Sequence, residues 1–156
     1  MQVKIQKLHP DAKLPEIGSA GAACVDLIAT NIIISDDNTE AIVHLGFATE
    51  IPVGYKAVIV PRSSFTLKGW VMQNSPAQID ADYRGEWILK FEAIPQRVHP
   101  TTFTAILKMD YYDFPYVKDQ RVAQVYFEKV IDFTWEPVLE LETTERGKGG
   151  FGSTGK

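Results

Sequence analysis

Apolar residues along this chain recur in short runs, which are separated by turn-forming residues such as Gly, Pro, Asn and Asp. Runs of this kind lie at residues 25–29, 32–34, 41–45, 55–60, 70–72, 87–94, 103–109, 121–130 and 138–141, after an alternating start at Val3, Ile5 and Leu8. Short bounded runs are typical of β-strands. No stretch of about a dozen residues keeps a helical period, and the best short helix candidate is 63–68, which begins with serines and is followed by Gly69. The pattern predicts an all-β fold, a compact barrel or sandwich.

Composition and charge exclude several classes of protein. With 156 residues, of which 45% are hydrophobic and 23% charged, the chain has the make-up of one globular domain with a core. The 16 Lys and Arg against 20 Asp and Glu give a net charge of −4, which argues against binding of nucleic acid by bulk charge but allows a small anionic ligand. Cys24 has no partner for an internal disulfide, and no apolar run reaches the roughly 18 residues that span a bilayer. We therefore expect a cytoplasmic protein with no nucleic-acid or membrane partner.

The C-terminal residues form the most unusual segment. Five of the 11 glycines lie in the last ten residues, within RGKGGFGSTGK. Because glycine loses much conformational entropy on ordering, this segment is either a disordered end or an arm that orders on a ligand. Closely spaced glycine N–H groups, the hydroxyls of Ser153 and Thr154 and the guanidinium of Arg146 are suitable donors for phosphate, and Phe151 can stack on a base. We divide the chain into a β-domain over residues 1–142 and a flexible arm over residues 143–156.

Two further segments carry groups that suit a phosphorylated ligand. In PRSSF an apolar strand ends in Arg62, Ser63 and Ser64, so that one guanidinium and two hydroxyls lie at a single edge. In NSPAQIDADYRGEW, if residues 78–83 enter or leave a hairpin, Ile79 faces the core and Asp80 and Asp82 point alike toward the opposite face, where one carboxylate can activate a water. Judged alone, such segments are more commonly a capping turn and a polar hairpin.

A carboxylate inside an apolar strand needs a partner. Asp26 lies in CVDLIA, and burial of an unpaired carboxylate is costly, so we expect it to meet an arginine or backbone donors in a structural role. The histidines His9, His44 and His99 lie far apart and Cys24 stands alone, so the sequence predicts no metal site made of His and Cys.

In their order along the chain, these segments resemble the five motifs of the trimeric dUTP pyrophosphatase (dUTPase) family. CVDLIA resembles the first motif, PRSSF the second, NSPAQIDADYRGE the third, DQRVAQ the fourth and ERGKGGFGSTG the fifth. The resemblance implies a jelly-roll-like β-barrel and a homotrimer with shared active sites, to which a neighbouring subunit contributes the arm that orders on the nucleotide. It also implies Mg²⁺-dependent hydrolysis of dUTP to dUMP and pyrophosphate, which lowers dUTP and supplies dUMP for thymidylate synthesis. The metal would be held by the triphosphate of the substrate and by water, with no side chain as a direct ligand.

The resemblance assigns roles to individual residues. Asp80 matches the aspartate that activates the water attacking the α-phosphorus, and Tyr83 matches the tyrosine that packs under the deoxyribose and leaves no room for a 2′-hydroxyl. Asn74 and the backbone of Gln78, Ile79 and Asp80 match the hairpin that reads uracil. Phe151 matches the phenylalanine over the uracil. The positions that match phosphate-binding or, for Asp26, supporting residues are Asp26, Arg62, Ser63, Ser64, Gln124, Arg146, Gly152, Ser153 and Thr154.

The sequence departs from the family pattern at several positions. Cys24 stands where the first motif usually has glycine, Ala77 stands where the third motif often has glycine, and Gln78 stands at a commonly apolar position. Residues 94–115 read as an extra or lengthened hairpin between the third and fourth motifs. Loop variation explains this hairpin more simply than the binding of a partner does.

Two other functions stay open from the sequence. A dCTP deaminase, or a bifunctional deaminase and dUTPase, shares the barrel and a similar Arg-Ser-Ser segment, but Asp80, Tyr83 and GGFGSTG favour a dUTPase. A dUTPase-like trimer without catalysis, used to sense nucleotides or to capture a regulatory protein, is the second alternative. Because every catalytic position is filled, the sequence favours an enzyme.

Overall fold

The computed structural model describes residues 1–65, 68–95 and 111–149, and this part of the chain is built from antiparallel β-strands. The strands are β1 (Lys4–Lys7), β2 (Glu16–Ile17), β3 (Val25–Ile28), β4 (Asn31–Ile34), β5 (Glu40–His44), β6 (Phe47–Glu50), β7 (Tyr55–Pro61), β8 (Trp70–Met72), β9 (Ala77–Ile79), β10 (Ile88–Ala93) and β11 (Arg121–Lys129). A 3₁₀ turn, Ser63–Phe65, follows β7. The all-β prediction is confirmed. Within the described ranges, no helix is long and apolar enough to cross a membrane.

The strands form three sheets. Their orders are β1-β6, β4-β5-β10-β8 and β2-β3-β11-β7-β9. Strand β10 has one apolar face and one polar face. Leu89, Phe91 and Ala93 are buried against the other sheets, while the residues between them are exposed. In the five-stranded sheet, β11 pairs with β3 on one side and with β7 on the other. This central position of β11 brings the first, second and fourth sequence motifs into one sheet.

Large aromatic side chains fill the space between the sheets. Phe47 on β6 and Trp87 just before β10 are both almost fully buried, and their ring centroids lie 5.3 Å apart. Burial of side chains of this size stabilises the fold by about 1.5–3 kcal/mol each. The core continues through Leu27, Val43 and Ile59 from three further strands.

A second aromatic group surrounds Phe114, in the segment that leads into β11. The Phe114 ring packs edge-on against Trp70, with ring centroids 5.0 Å apart, and lies 5.2 Å from the ring of Phe91. The Trp70 Nε1–H donates a hydrogen bond of 2.7 Å to the carbonyl of Tyr112, which fixes the same segment through its backbone. Gly69 precedes β8 with a φ of 72°, a conformation that favours glycine.

Several sequence-based boundaries differ from the structure. The helix expected over 63–68 is a single 3₁₀ turn within the described residues, and no strand forms over 138–141. The run at 103–109 lies outside the described residues, as does most of the hairpin expected over 94–115. Strands β2, β6 and β9 were not among the predicted runs. Strand β6 gave no alternating signal because three consecutive residues, Phe47, Ala48 and Thr49, are all buried.

Candidate active site

Asp26, Gln124 and Arg62 come together where β3, β11 and β7 run side by side. In the sheet register, Gln124 lies opposite Asp26 on one side and opposite Val60 on the other. The Asp26 side chain is 14% exposed, and its Oδ1 lies 3.0 Å from Arg62 Nε. The structure therefore confirms the expected pairing of this carboxylate with an arginine, which offsets the cost of burying it.

A second arginine, Arg121, completes this ion-pair cluster. Its Nη1 lies 3.4 Å from Asp26 Oδ2, and its Nη2 lies 3.2 Å from Glu16 Oε2. The Arg62 Nη1 also donates to the Arg121 carbonyl over 3.3 Å. Arg121 was not predicted from the sequence, although it stands in DQRVAQ three residues before Gln124. Its role follows from the antiparallel pairing of β11 with β3, which a sequence pattern alone does not give.

The two serines of PRSSF lie just beyond this cluster. Ser63 and Ser64 occupy the first two positions of the 3₁₀ turn and are exposed, while Phe65 anchors the turn in the core. The Gln124 Nε2 donates a hydrogen bond of 3.4 Å to the Pro61 carbonyl. Two hydroxyls, an amide and a guanidinium thus lie at one edge of the sheet, a donor set that suits phosphate oxygens. We name this edge, formed by Asp26, Arg62, Ser63, Ser64 and Gln124, the donor edge.

The third motif forms a different group, on β9 and the loop after it. Asp80 directly follows β9 and is exposed, and its carboxylate makes no ion pair within the described residues. Tyr83 is 44% exposed and donates from its hydroxyl to the Glu86 carbonyl over 3.1 Å. A side chain at Gly85 would overlap the Tyr83 ring, so glycine is required for this close approach. Asn74 is exposed in the turn between β8 and β9.

Two charged residues hold this loop in place. Arg84 Nη1 donates to the carbonyls of Ala81, at 2.7 Å, and Tyr83, at 3.1 Å. Glu86 accepts from the Gly46 N–H at 2.8 Å and lies 2.9 Å from His44 Nδ1. The carboxylate and ring that follow β9 are therefore presented by a loop fixed to the barrel. The function of Arg84 and Glu86 was not predicted from the sequence, since their partners are backbone groups and residues on distant strands.

The donor edge and Asp80 lie at opposite ends of β7. Ile79 pairs with Ala57 near the start of this strand, whereas Arg62 follows its end. Asp80 is thus level with Lys56, six residues from Arg62, and at about 3.3 Å per residue the separation is roughly 20 Å. Within one chain, the donor edge and Asp80 are therefore too far apart to contact the same phosphate group.

Beyond β11 the chain extends away from the sheets. Residues 131–148 are exposed, among them several large apolar side chains, with Trp135 at 87% and Leu141 at 80%. Arg146 donates from Nε to the Gly149 carbonyl at 3.0 Å within this segment. The predicted site residues Phe151, Gly152, Ser153 and Thr154 lie outside the described residues.

A groove of about 240 Å³ opens between β1 and β11 and is lined largely by apolar side chains. Two of its lining groups, Trp87 Nε1 and Thr49 Oγ1, are buried without a hydrogen-bond partner in the described part of the chain. Buried polar atoms are normally paired, so these two atoms are exceptions in the wall of the groove.

Comparison with known families decides where the chain belongs. The model of the dUTPase family matches residues 10–95 and 105–155, which is most of the sequence. The chain belongs to the dUTPase family. It is 37% identical over 162 residues to the deoxyuridine 5'-triphosphate nucleotidohydrolase of Orientia tsutsugamushi, with 99% of both chains covered, and 35% identical over 159 residues to that of Nautilia profundicola, with both chains fully covered.

Solved dUTPase structures share the fold. A point mutant of the phage 80alpha dUTPase superposes with a TM-score of 0.78 at 21% identity and 98% coverage of both chains. The Staphylococcus bacteriophage 80alpha dUTPase with dUPNHPP gives a TM-score of 0.76 at 21% identity and 99% coverage of both chains. The expectation of a dUTPase-like jelly-roll barrel is confirmed.

The residues that differ from the usual dUTPase motifs lie in ordinary structural environments. Gln78 is exposed on β9, and its Oε1 accepts a hydrogen bond of 2.9 Å from Lys56 Nζ on the neighbouring strand. Ala77 is buried and pairs with Ile59, and half-buried Cys24 directly precedes β3. The polar side chain of Gln78 is therefore explained by its cross-strand partner.

Proposed function

We propose that this chain hydrolyses dUTP to dUMP and pyrophosphate, and so lowers dUTP and supplies dUMP for thymidylate synthesis. The observation that carries the proposal is the combination of the donor edge with a carboxylate after β9 that makes no ion pair in the described part of the chain, and the chain matches dUTPases over its whole length. The donor edge suits phosphates, and the carboxylate suits activation of water.

The proposed chemistry assigns one step to each group. Asp80 accepts a proton from the water that attacks the α-phosphorus, and the bond from that phosphorus to the α–β bridging oxygen breaks, which releases pyrophosphate. Arg62, Ser63, Ser64 and Gln124 donate to the phosphates, so that the charge gathered on the leaving oxygen is stabilised. Uracil is read by Asn74 and by the backbone of Gln78, Ile79 and Asp80, and Tyr83 supports the deoxyribose. The arm adds Arg146, Phe151, Gly152, Ser153 and Thr154.

The donor set agrees with a metal that arrives with the substrate. Among the described residues, no group of three His, Cys, Asp or Glu side chains could hold a metal ion. Mg²⁺ commonly keeps several waters and binds through substrate phosphates, so we propose that it is held by the triphosphate and water with no direct side-chain ligand. When bound, the ion would neutralise phosphate charge. Arg62 and the two serines would then orient the phosphate chain.

We further propose a homotrimer with shared active sites. The separation of roughly 20 Å between Asp80 and Arg62 requires that a base acting at the α-phosphorus and donors on the same phosphate chain come from different subunits. A cyclic trimer satisfies this requirement with three equivalent sites.

The exposed residues 131–141, which precede the arm, and the open groove support the same assembly. Ile131, Phe133 and Trp135 alternate along this segment, which places them on one face of an extended chain. This apolar face suits the apolar lining of the groove between β1 and β11, since contact would remove both from water. We propose that residues 131–141 of a second copy occupy the groove and carry residues 143–156 to a site on the neighbouring subunits.

The direct test is pyrophosphate release with Mg²⁺ from dUTP, dCTP, dTTP and UTP, for the wild type and for Asp80→Asn. We expect release from dUTP alone, with a rate lowered about a hundredfold or more in Asp80→Asn, while nucleotide binding is retained. Truncation before Arg146 should abolish turnover and leave the trimer intact, because residues 131–141 are kept. Release from none of the four nucleotides would favour the non-catalytic binding protein, and ammonia release from dCTP would favour the deaminase.

A further inference from the structure

The segment that leads out of residues 94–115 ends against the 3₁₀ turn Ser63–Phe65. The Tyr116 ring lies parallel to the Phe65 ring, with 5.6 Å between centroids and 13° between planes. Phe114, two residues earlier, lies 5.8 Å from the same tyrosine and is buried in the aromatic core. Because Phe65 ends the turn, a ring stacked on it fixes the turn that carries the serines of the donor edge.

The Tyr116 hydroxyl is in an unusual situation. It is buried, yet no hydrogen-bond partner of good geometry lies within the described residues. Burial raises the pKa of Tyr116, whereas the Ser64 side chain and the charge of Arg62 act in the opposite direction, so both groups lie close to the hydroxyl. The Ser64 side chain is thus close to the Tyr116 hydroxyl, but the two do not form a hydrogen bond of good geometry.

Burial of an unpaired hydroxyl lowers the stability of the folded protein, and a purely apolar side chain would avoid this penalty. Phenylalanine at this position would keep the same stacking on Phe65 without the penalty. Packing therefore explains the ring of Tyr116 but not its hydroxyl.

We propose that Tyr116 is a positioning residue for phosphate binding, and that its hydroxyl donates to Ser64 when the Ser64 hydroxyl donates to a phosphate oxygen. A serine hydroxyl can donate one hydrogen bond while its oxygen accepts another. Tyr116, Ser64 and phosphate would then form a chain of hydrogen bonds in which each bond polarises the next and strengthens the Ser64 donor. This inference rests on the proposed function of the donor edge.

The same proposal assigns a function to the stretch before β11, for which the sequence indicated none. Phe114 and the Tyr112 carbonyl fix the segment to the core through Trp70, and Tyr116 then reaches the donor edge. The described end of this stretch thus supports the phosphate-binding turn from beneath.

The test compares Tyr116→Phe, Ser64→Ala and the double variant with the wild type. Affinity for Mg²⁺ with α,β-imido-dUTP and for inorganic tripolyphosphate is measured by calorimetry, and the thermal midpoint is recorded for each protein. Tyr116→Phe should weaken both affinities about three- to tenfold, as expected for one hydrogen bond. Its thermal midpoint should be unchanged or higher, because an unpaired buried hydroxyl is removed. In the Ser64→Ala background, the second substitution should have no further effect on affinity.

Tyr112→Phe is the matched control, since it removes a hydroxyl from an exposed tyrosine of the same segment, and wild-type affinity is expected. Wild-type affinity of Tyr116→Phe, or an equal loss with and without Ser64, would overturn the positioning role. Wild-type protein that binds tripolyphosphate but neither binds nor hydrolyses the nucleotide would refute the proposed function, and the Tyr116 comparison would still be decided on tripolyphosphate. Failure of the wild type to bind either ligand would overturn both.

Discussion

Mixing two inactive variants should restore activity if Asp80 and Arg62 of one site come from different chains. In each chain the two residues are separated by the length of β7, roughly 20 Å. A base must lie within hydrogen-bond reach of the attacking water, directly or through one further water. Asp80→Asn and Arg62→Gln each leave the other residue intact, so a mixed trimer contains interfaces at which both wild-type side chains meet.

The expected gain in activity follows from the fraction of sites in mixed trimers that contain both wild-type residues. In trimers assembled at random from equal amounts of the two variants, a site works when its Asp80 comes from an Arg62→Gln chain and its Arg62 from an Asp80→Asn chain. Each condition holds with a probability of one half, so about one quarter of the sites should be active. Each variant alone should keep about one hundredth of the activity or less. The activity of the mixture should therefore exceed the activity of either variant alone by roughly twenty-five-fold.

The assay is pyrophosphate release from dUTP after the variants, carrying different tags, are unfolded together and reassembled. Tandem affinity purification confirms that mixed trimers have formed. Wild type mixed with the double variant is the control, because shared sites leave about one quarter of full activity whereas sites within one chain leave about one half. If mixed trimers are verified but are no more active than the separate variants, Asp80 and Arg62 of one site do not come from different chains.

Three further predictions concern stability. Asp26→Asn leaves two arginines without their shared carboxylate and should lower the free energy of unfolding by about 2 kcal/mol, less than for a fully buried pair, as measured by urea denaturation at fixed protein concentration. Phe114→Ala should cost about 3–5 kcal/mol, since it empties the centre of the aromatic group, and a loss below about 1 kcal/mol would contradict that packing. Hydrogen bonds from Ser35 and Thr39 hold the pKa of Asp37 below its usual 3.8, so this group's contribution to stability is present at neutral pH and is lost as the pH falls below that value. Asp37→Asn should therefore lower the thermal midpoint at pH 7 and change it little at pH 2.5, and an equal effect at both pH values would contradict the assignment.

The sequence predicted the features that depend on local pattern. The strands that became β3, β7, β8, β10 and β11 have clear apolar runs, and the carboxylate of Asp26 had to be paired because it lies in such a run. The identity of its partners depends on the register of β11 between β3 and β7, a long-range property. Strand β6 has three successive buried residues and so lacked an alternating pattern.

The candidate site was predictable to a similar extent. Its residue types could be recognised in order along the chain, but their division between the two ends of β7 could not. That division follows from the antiparallel pairing of β7 with β9. Within the described ranges, Trp87 Nε1, Thr49 Oγ1 and Tyr116 Oη are buried without a hydrogen-bond partner, and the sequence could not show this, because a missing partner is a property of packing in three dimensions.

A substitution of Gly85 depends on the residue at position 83, and this limits how the enzyme could be re-engineered. Any side chain at position 85 would overlap the tyrosine ring, so a Gly85 substitution is tolerated only when the residue at position 83 is made smaller. A library that varies position 85 should therefore vary position 83 as well, or start from a variant with a smaller residue there. A library at position 85 alone would lose its variants, because the change fails while Tyr83 is still present.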